Sequence, residues 1–284
     1  MKIGYLGPKA TFTDIAVRAM FPNMKCYPYL TIPDCFDAVM KDDIDLAFVP
    51  MENALEGSVN ITLDYLIHEV DLPIKGEVTA PIRQHLMVHP LNQSRLKEIE
   101  CIYSHSHAIA QCYKFLHKEF NKVPCRNTTS TAAAAQYIKD HPEVLGAAIG
   151  NDLSAKEYGL SIVQHDIHDF KDNHTRFIVL SKKSFDLSSQ QVAYKRDKTT
   201  LMVTLPSMDR SGVLHQVLSA FAWRNINLIK IESRPTKTGL GNYLFIIDID
   251  RQLDEVLIPG AIAELEALDC KVKILGSYPC FQLK

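Results

Sequence analysis

From Lys2 to Ser181, short apolar runs of strand length alternate with stretches of helical period, and few folds accommodate that alternation. Lys2–Leu6 reads as a buried strand turned by Gly7-Pro8. Thr11 then reads as the N-cap of a helix carrying Phe12, Ile15, Ala16, Ala19 and Met20 on its apolar side. Lys25–Leu30 and Asp45–Val49 are further strands, with a helix around Phe36–Met40 between them. Ile74–Ala80 and Gln84–Val88, punctuated by Pro73, Pro81 and Pro90, read as paired extended segments that carry the chain from one lobe into a second. The second lobe, residues 82–168, takes strands at Glu100–Tyr103, Val123–Asn127, Gly146–Ile149 and Ser161–Gln164, and Thr175–Ser181 returns to the first. This order predicts a two-lobed α/β domain over residues 1–183, with mostly parallel sheets between helices.

Ser184–Lys198 is polar, lacks either period and reads as a linker. Residues 199–284 then run as strand, helix, two strands (Asn227–Pro235, Asn242–Asp250), a helix at Asp254–Leu268 and a strand at Lys271–Leu275. The order βαββαβ predicts a ferredoxin-like unit. Units of this topology often pair edge strands, so a homodimer or homotetramer is expected.

Composition removes several function classes. A formal net charge of −2 gives no reason to expect nucleic acid or an anionic membrane as partner. No apolar stretch reaches bilayer-spanning length, and Met1 runs into a strand pattern without a leader-like apolar segment, so a cytoplasmic protein is expected. Seven cysteines without a C-x-x-C pair fit reduced thiols better than disulfides or zinc. Gly4-x-x-Gly7 lacks the further glycines of a dinucleotide fingerprint or a P-loop. His105-x-His107, and His165, His168, Asp169 and His174, are metal-like in composition only, so no metal is expected.

The stretch Asn173-His174-Thr175-Arg176-Phe177 offers a hydroxyl, a fixed positive charge and an aromatic face before the apolar run Ile178–Leu180. Those groups suit a small anion losing a polar leaving group in a water-poor site, though the same residues also read as the start of a half-buried strand. In a regular strand Thr175 and Phe177 share a face and Arg176 points away; either the strand is irregular, or Arg176 braces the site. Pro50–Val59 lies beyond the carboxyl end of a strand, where α/β sheets bind ligands. There Glu52 is a proton carrier if buried, Asn53 both donates and accepts, and Ser58 or Asn60 is placed to cap a helix at Ile61–His68.

Several segments, in order, resemble the prephenate dehydratase family with a C-terminal ACT regulatory domain. They are Gly4-Tyr5-Leu6-Gly7 with Thr11-Phe12, Val49-Pro50-Met51-Glu52-Asn53 with Gly57-Ser58-Val59, Ser104-His105 with Gln111-Cys112, Ser130-Thr131-Ala132, Ala147-Ala148-Ile149, Tyr158-Gly159-Leu160, and Asn173 with Thr175-Arg176-Phe177. In the second unit Gly212-Val213-Leu214 resembles a Gly-Ala-Leu motif, while Asn225-Ile226-Asn227-Leu228 and Glu232-Ser233-Arg234-Pro235 resemble phenylalanine-binding segments. Ser106-His107 stands where the family usually has Pro-Gln, Ala54 and Thr13 where Ser is common, and Val213 where Ala is.

The resemblance implies a two-lobed fold like that of periplasmic binding proteins. It implies loss of water and carbon dioxide from prephenate to give phenylpyruvate, without cofactor or metal. It sets Thr175 at the leaving hydroxyl, with Glu52 as rival proton source and Arg176 as a further catalytic candidate. Thr11, Asn53, Ser104, Thr131, Asn173 and Phe177 become substrate-binding candidates. Gly212, Val213, Leu214, Asn225, Asn227, Leu228, Glu232, Ser233, Arg234 and Pro235 become contacts for L-phenylalanine as feedback effector. No chorismate mutase segment precedes Met1, so the monofunctional form is the one resembled. Arogenate dehydratase is the close alternative within the class, and a non-catalytic small-molecule sensor the alternative outside it.

Overall fold

A computed structural model describes residues 1–185, 187, 192–206, 212–237 and 243–283. The first lobe comprises β1 (Lys2–Leu6), α1 (Phe12–Met20), β2 (Lys25–Tyr29), α2 (Ile32–Met40), β3 (Leu46–Asn53), the short β4 (Gly57–Ser58), α3 (Asn60–Asp64) and β5 (Ile74–Pro81). The second comprises β6 (His85–Val88), β7 (Cys101–Ser104), α4 (Ser106–Gln111), α5 (Tyr113–Glu119), β8 (Cys125–Asn127), α6 (Thr131–Asp140), β9 (Gly146–Gly150), α7 (Asp152–Tyr158) and β10 (Ser161–Gln164). The chain returns through β11 (His174–Leu180) to the C-terminal unit: β12 (Ala193–Thr204), α8 (Val213–Ala222), β13 (Leu228–Pro235), β14 (Tyr243–Ile249), α9 (Leu257–Ala267) and β15 (Lys271–Gln282).

The sheets are mixed rather than mostly parallel. β1 runs parallel to β2 and β3, but β11 is antiparallel to both β3 and β5. In the second lobe β7 is parallel to β8 and β9, whereas β6 is antiparallel to β9 and β10. The cause is the double crossing: a chain that leaves one sheet and returns to it lays its return strand beside strands of opposite direction. The two expected crossover segments accordingly do not pair with each other; β5 takes β11 and β15, and β6 takes β9 and β10. The outgoing and returning crossovers are tied together instead, Ile82 N–H donating to the Asn173 carbonyl (2.9 Å) and Ile167 N–H to that of Gln84 (2.9 Å).

Strand alternation divides the first lobe's core. Leu46, Phe48, Phe177 and Val179 pack on the α1 side, while Ala47, Val49, Ile178 and Leu180 pack on the other. That second face is covered partly by the C-terminal unit, through Leu244, Ile246, Leu275, Tyr278 and Cys280. The two units also share one sheet, ordered β13-β14-β12-β15-β5-β11-β3-β1-β2. At the seam Cys280, Phe281 and Gln282 lie opposite Glu77, Val78 and Thr79. Gly276 makes the approach possible, because a Cβ there would collide with the Ile74 carbonyl.

That seam revises three local expectations. The stretch expected as a linker is strand from Ala193 onward, hydrogen-bonded across to Gln282 and Phe281. The last strand runs past Leu275 to Gln282, since Tyr278, Cys280 and Phe281 are buried against the first lobe. The helix expected over Ile61–His68 is Asn60–Asp64 followed by a wider π-turn at Tyr65–Glu69, and neither Ser58 nor Asn60 caps it. The Ser58 hydroxyl is engaged elsewhere.

Candidate active site

A cleft of about 1380 Å³ separates the two lobes. It is bounded by the β1–α1 turn and the β3–β4 hairpin on one side, and by the starts of α4 and α6 on the other; β11 supplies Thr175 and Phe177 to its floor. Among the described residues the two lobes meet directly at its edges. Asn151 Nδ2 donates to the Ala10 carbonyl (3.0 Å), and His107 Nε2 faces Glu56 at 4.0 Å.

The centre of the site is set by one side-chain amide. Asn53 Oδ1 accepts the backbone N–H groups of Leu55 (3.0 Å) and Glu56 (3.1 Å), which close the turn after β3. Those donors leave Asn53 only one orientation, so Nδ2 must face Asn173 Oδ1 (3.0 Å) and Thr175 Oγ1 (2.9 Å). Thr175 is 9% exposed and accepts through its oxygen, which leaves the hydroxyl proton to be donated into the cleft. Phe177, 1% exposed, stacks on Phe48 with centroids 5.4 Å apart and carries the apolar core to the cleft wall.

Of the two sequence alternatives for β11, the strand itself is regular against β5 around Arg176, and Arg176 points away from the cleft. The ladder to β3 is irregular, with Arg176 opposite Glu52 and Phe177 opposite Pro50, so that Met51 is the extra residue. The irregularity lies in β3 and does not turn Arg176 toward the cleft. Arg176 instead projects from the back of the sheet, with Nη1 on Asp248 Oδ2 at 2.6 Å and Nε 3.5 and 3.6 Å from Glu52 and Glu77. Burial works against its charge, but the carboxylates of Asp248 and Glu77 outweigh that and hold it protonated. Glu52 also faces away from the cleft, its carboxylate 2.8 Å from Lys230. The two charged residues singled out for chemistry therefore meet each other and the C-terminal unit, not the cavity.

Of the substrate-binding candidates, Thr11, Asn53, Thr131 and Phe177 line the cleft with Thr175, while Ser104 and Asn173 do not. Thr11 donates to the Pro8 carbonyl (3.0 Å) and caps α1 by accepting from Asp14 (3.3 Å). Ser104 is wholly buried and donates to the Ile149 carbonyl at 2.7 Å, pinning β7 to β9. Asn173 sits one layer back, holding Asn53. Sequence reading gave no role to Gln84 and Gln111, which line the cleft with buried Oε1 atoms lacking partners. Glutamine in a crossover or a helix carries no sequence signal of its own. The basic side chains that line the cleft are those of Lys9 and the histidines 105 and 107. Burial, then the neighbouring His107, lowers the His105 pKa despite Glu56, and its Nδ1 accepts from the His107 N–H.

The phenylalanine-binding candidates divide by strand face. Gly212, at φ 87°, starts α8 in a conformation only glycine adopts freely, followed by buried Val213 and half-exposed Leu214. Asn225, at φ 53°, turns the chain; Asn227 Nδ2 donates to Asp250 (3.4 Å), and Leu228 opens β13. Ser233 and Pro235 are exposed, whereas Glu232 and Arg234 face the first lobe and pair at 3.5 Å. Glu232 accepts from Ser58 (2.5 Å), and Lys230 donates to that hydroxyl (2.9 Å).

At the crossover, His85, Asp152 and His165 bring ligand-type atoms within 4.8 Å of one another. His85 Nδ1 accepts the Asp166 N–H (2.9 Å), so Nε2 carries the hydrogen and faces Asp152 at 3.3 Å. An Nε2–H offers no lone pair to an ion. Among the described residues no helix is long and apolar enough to cross a membrane, and all seven cysteines are free.

A cleft between two α/β lobes, floored by a hydroxyl and walled by amides, and fused to a ferredoxin-like unit, defines a two-lobed enzyme of the periplasmic-binding-protein build with a regulatory module. Sequence profiles match accordingly: that of prephenate dehydratase over residues 3–185 and that of the ACT domain over 199–269. The chain belongs to the prephenate dehydratase family, whose reaction is that of a hydro-lyase. It is 59% identical to the prephenate dehydratase of Bacillus subtilis strain 168, with all of both chains aligned. Prephenate dehydratase of Arthrobacter aurescens, solved in complex with L-Phe, superposes with a TM-score of 0.85 at 34% identity over 98% of this chain and 89% of that one. The Staphylococcus aureus Mu50 enzyme gives 0.81 at 33% identity, over 98% and 100%.

Proposed function

We propose that the cleft converts prephenate to phenylpyruvate with Thr175 as the group at the leaving hydroxyl. The ring C–O bond breaks, the bond to the ring carboxylate breaks with it, and that electron pair completes the aromatic ring. Water and carbon dioxide leave, and one proton is consumed. Thr175 is too weak an acid to supply that proton outright; it polarises the departing oxygen, and solvent balances the charge. One observation carries this reading: Thr175 lines the cleft floor with its hydroxyl oxygen accepting from the Asn53 amide, which two backbone N–H groups hold in one orientation, so the hydroxyl proton is left for a group in the cavity. Lys9 and His107 are the groups we assign to the substrate carboxylates, and Gln84 and Gln111 those to its polar side chain. Phe48 and Phe177 keep the floor dry.

Thr175→Ala and Glu52→Gln, compared on prephenate by phenylpyruvate absorbance, test the assignment. Loss of about 10²-fold or more in kcat is expected for the first. A near-normal rate there, with a large loss only in Glu52→Gln, transfers the acid role to Glu52. Rates on arogenate alongside decide between the keto and amino substrates.

L-Phenylalanine is the effector we assign to the C-terminal unit, a reading supported by the ligand of the Arthrobacter enzyme and by the motif residues around α8 and β13. Self-association is supported by the unpaired edge of β13 and by exposed Leu214, Leu218, Trp223 and Ile231. Sedimentation with and without phenylalanine tests both; unchanged size and unchanged activity would remove the assignment. The free thiols support a reducing cytoplasmic setting.

A further inference from the structure

Three cations and three carboxylates are buried or half-buried between the catalytic sheet and the C-terminal unit. Arg176, Glu52 and Glu77 come from β11, β3 and β5; Asp248, Lys198 and Lys230 come from β14, β12 and β13. Asp248 is the fixed point of this set. It is fully buried, and each of its oxygens is held: Oδ1 accepts from Thr200 (2.7 Å) and Oδ2 from Arg176 (2.6 Å). Thr200 is itself held by the buried Tyr278 hydroxyl at 2.7 Å. Lys198, 2.8 and 2.9 Å from Glu77, balances the remaining carboxylate.

Arg176 stands between the two cleft residues Thr175 and Phe177. Its Cα position along β11 cannot shift without moving both neighbours, because the three share one stretch of extended backbone. The ladder to β3 is irregular at this point and that to β5 is regular, so on the β3 side, which carries Asn53, the strand is held in part by what Arg176 meets behind the sheet. We infer that Asp248, a residue of the C-terminal unit, is a positioning residue of the dehydration site, acting through Arg176 on Thr175. The inference rests on the reading that Thr175 works at the leaving hydroxyl. A second tether runs in parallel, since Lys230 and Glu232 of β13 grip the Ser58 hydroxyl at the cleft rim. The regulatory unit is thus part of the back wall of the active site in the same chain, and a displacement of β13 and β14 reaches the cleft in one side-chain step.

The test is a double-mutant cycle on the full chain. Asn53→Ala loosens Thr175 from the cleft side and Asp248→Asn from behind. Asp248→Asn alone is expected to lower kcat about tenfold, but less than about threefold in the Asn53→Ala background, because both act on one hydroxyl. An unchanged kcat in the folded Asp248→Asn protein overturns the inference. So does an equal factor in both backgrounds, which marks a general loss of active protein. If Asp248→Asn does not melt cooperatively, Thr200→Val, which frees one oxygen of Asp248 and keeps the ion pair, takes its place with the same readouts. The two readings fail separately. Thr175→Ala at the wild-type rate sinks the site assignment; Thr175→Ala inactive with Asp248→Asn indifferent sinks this inference alone.

Discussion

Asn53 shows how one amide can decide a site. Its oxygen is committed to two backbone N–H groups, so its nitrogen must be the donor to Thr175. Asn53→Asp keeps the size and the accepting oxygen but sets an acceptor against Thr175, which would then donate its proton to the aspartate instead of the cleft. A loss of about 10²-fold in kcat is expected with the melting temperature nearly unchanged, measured by phenylpyruvate formation and circular dichroism. Gln84 lends itself to a milder test. Its unpaired, buried amide oxygen suggests a contact made only with substrate, and Gln84→Ala is expected to raise KM by about tenfold with little change in kcat.

At the scale of elements, β11 does two jobs on two faces. One face presents Thr175 and Phe177 to the cleft, and the other delivers Arg176 to Asp248. The period of two was legible in the sequence and put Arg176 behind the sheet only for a regular strand; what it meets there was not legible, because its partners are 72 residues distant at Asp248 and far upstream at Glu77. The floor depends on the Phe48–Phe177 stack, and Phe48→Ala is expected to cost about 3–5 kcal/mol by denaturant unfolding. Thr31 and Asp34 form a capping box that starts α2, and neither lines the cleft. Thr31→Ala should therefore cost only about 1 kcal/mol and leave turnover intact.

Across the whole molecule, the shared sheet makes stability and site geometry sensitive to acid. Burial raises the Asp248 pKa, but Arg176 and Lys198 reverse it, and the folded value lies below the ordinary aspartate value of 3.8. Glu232 behaves likewise, burial being outweighed by Ser58 and Lys230, against a reference of 4.5. Both groups bind fewer protons folded than unfolded in that range, so their contribution is complete above those reference values and is lost as pH falls below them. At the crossover, burial lowers the His85 pKa from 6.5 despite Asp152 and Asp166, which adds a loss beginning as pH falls through that value. Melting temperature should thus decline in two steps on acidification; His85→Asn should reduce the upper step, to which half-buried His105 also contributes, and Asp248→Asn blunt the lower one. By itself the chain's local patterning determined the two lobes and the order of the ferredoxin-like unit, because periodicity, capping and turn chemistry act between neighbours, while the family resemblance of short motifs marked Thr175, Asn53 and Thr131 for the cleft. Only the tertiary structure decided that the strands would be mixed in direction, that residues from Ala193 would join the sheet, and that Glu52 and Arg176 would turn their backs on the cleft. Those outcomes depend on which charges and edges meet after the chain has crossed between lobes twice, and a contact made across more than a hundred residues leaves no period in the sequence.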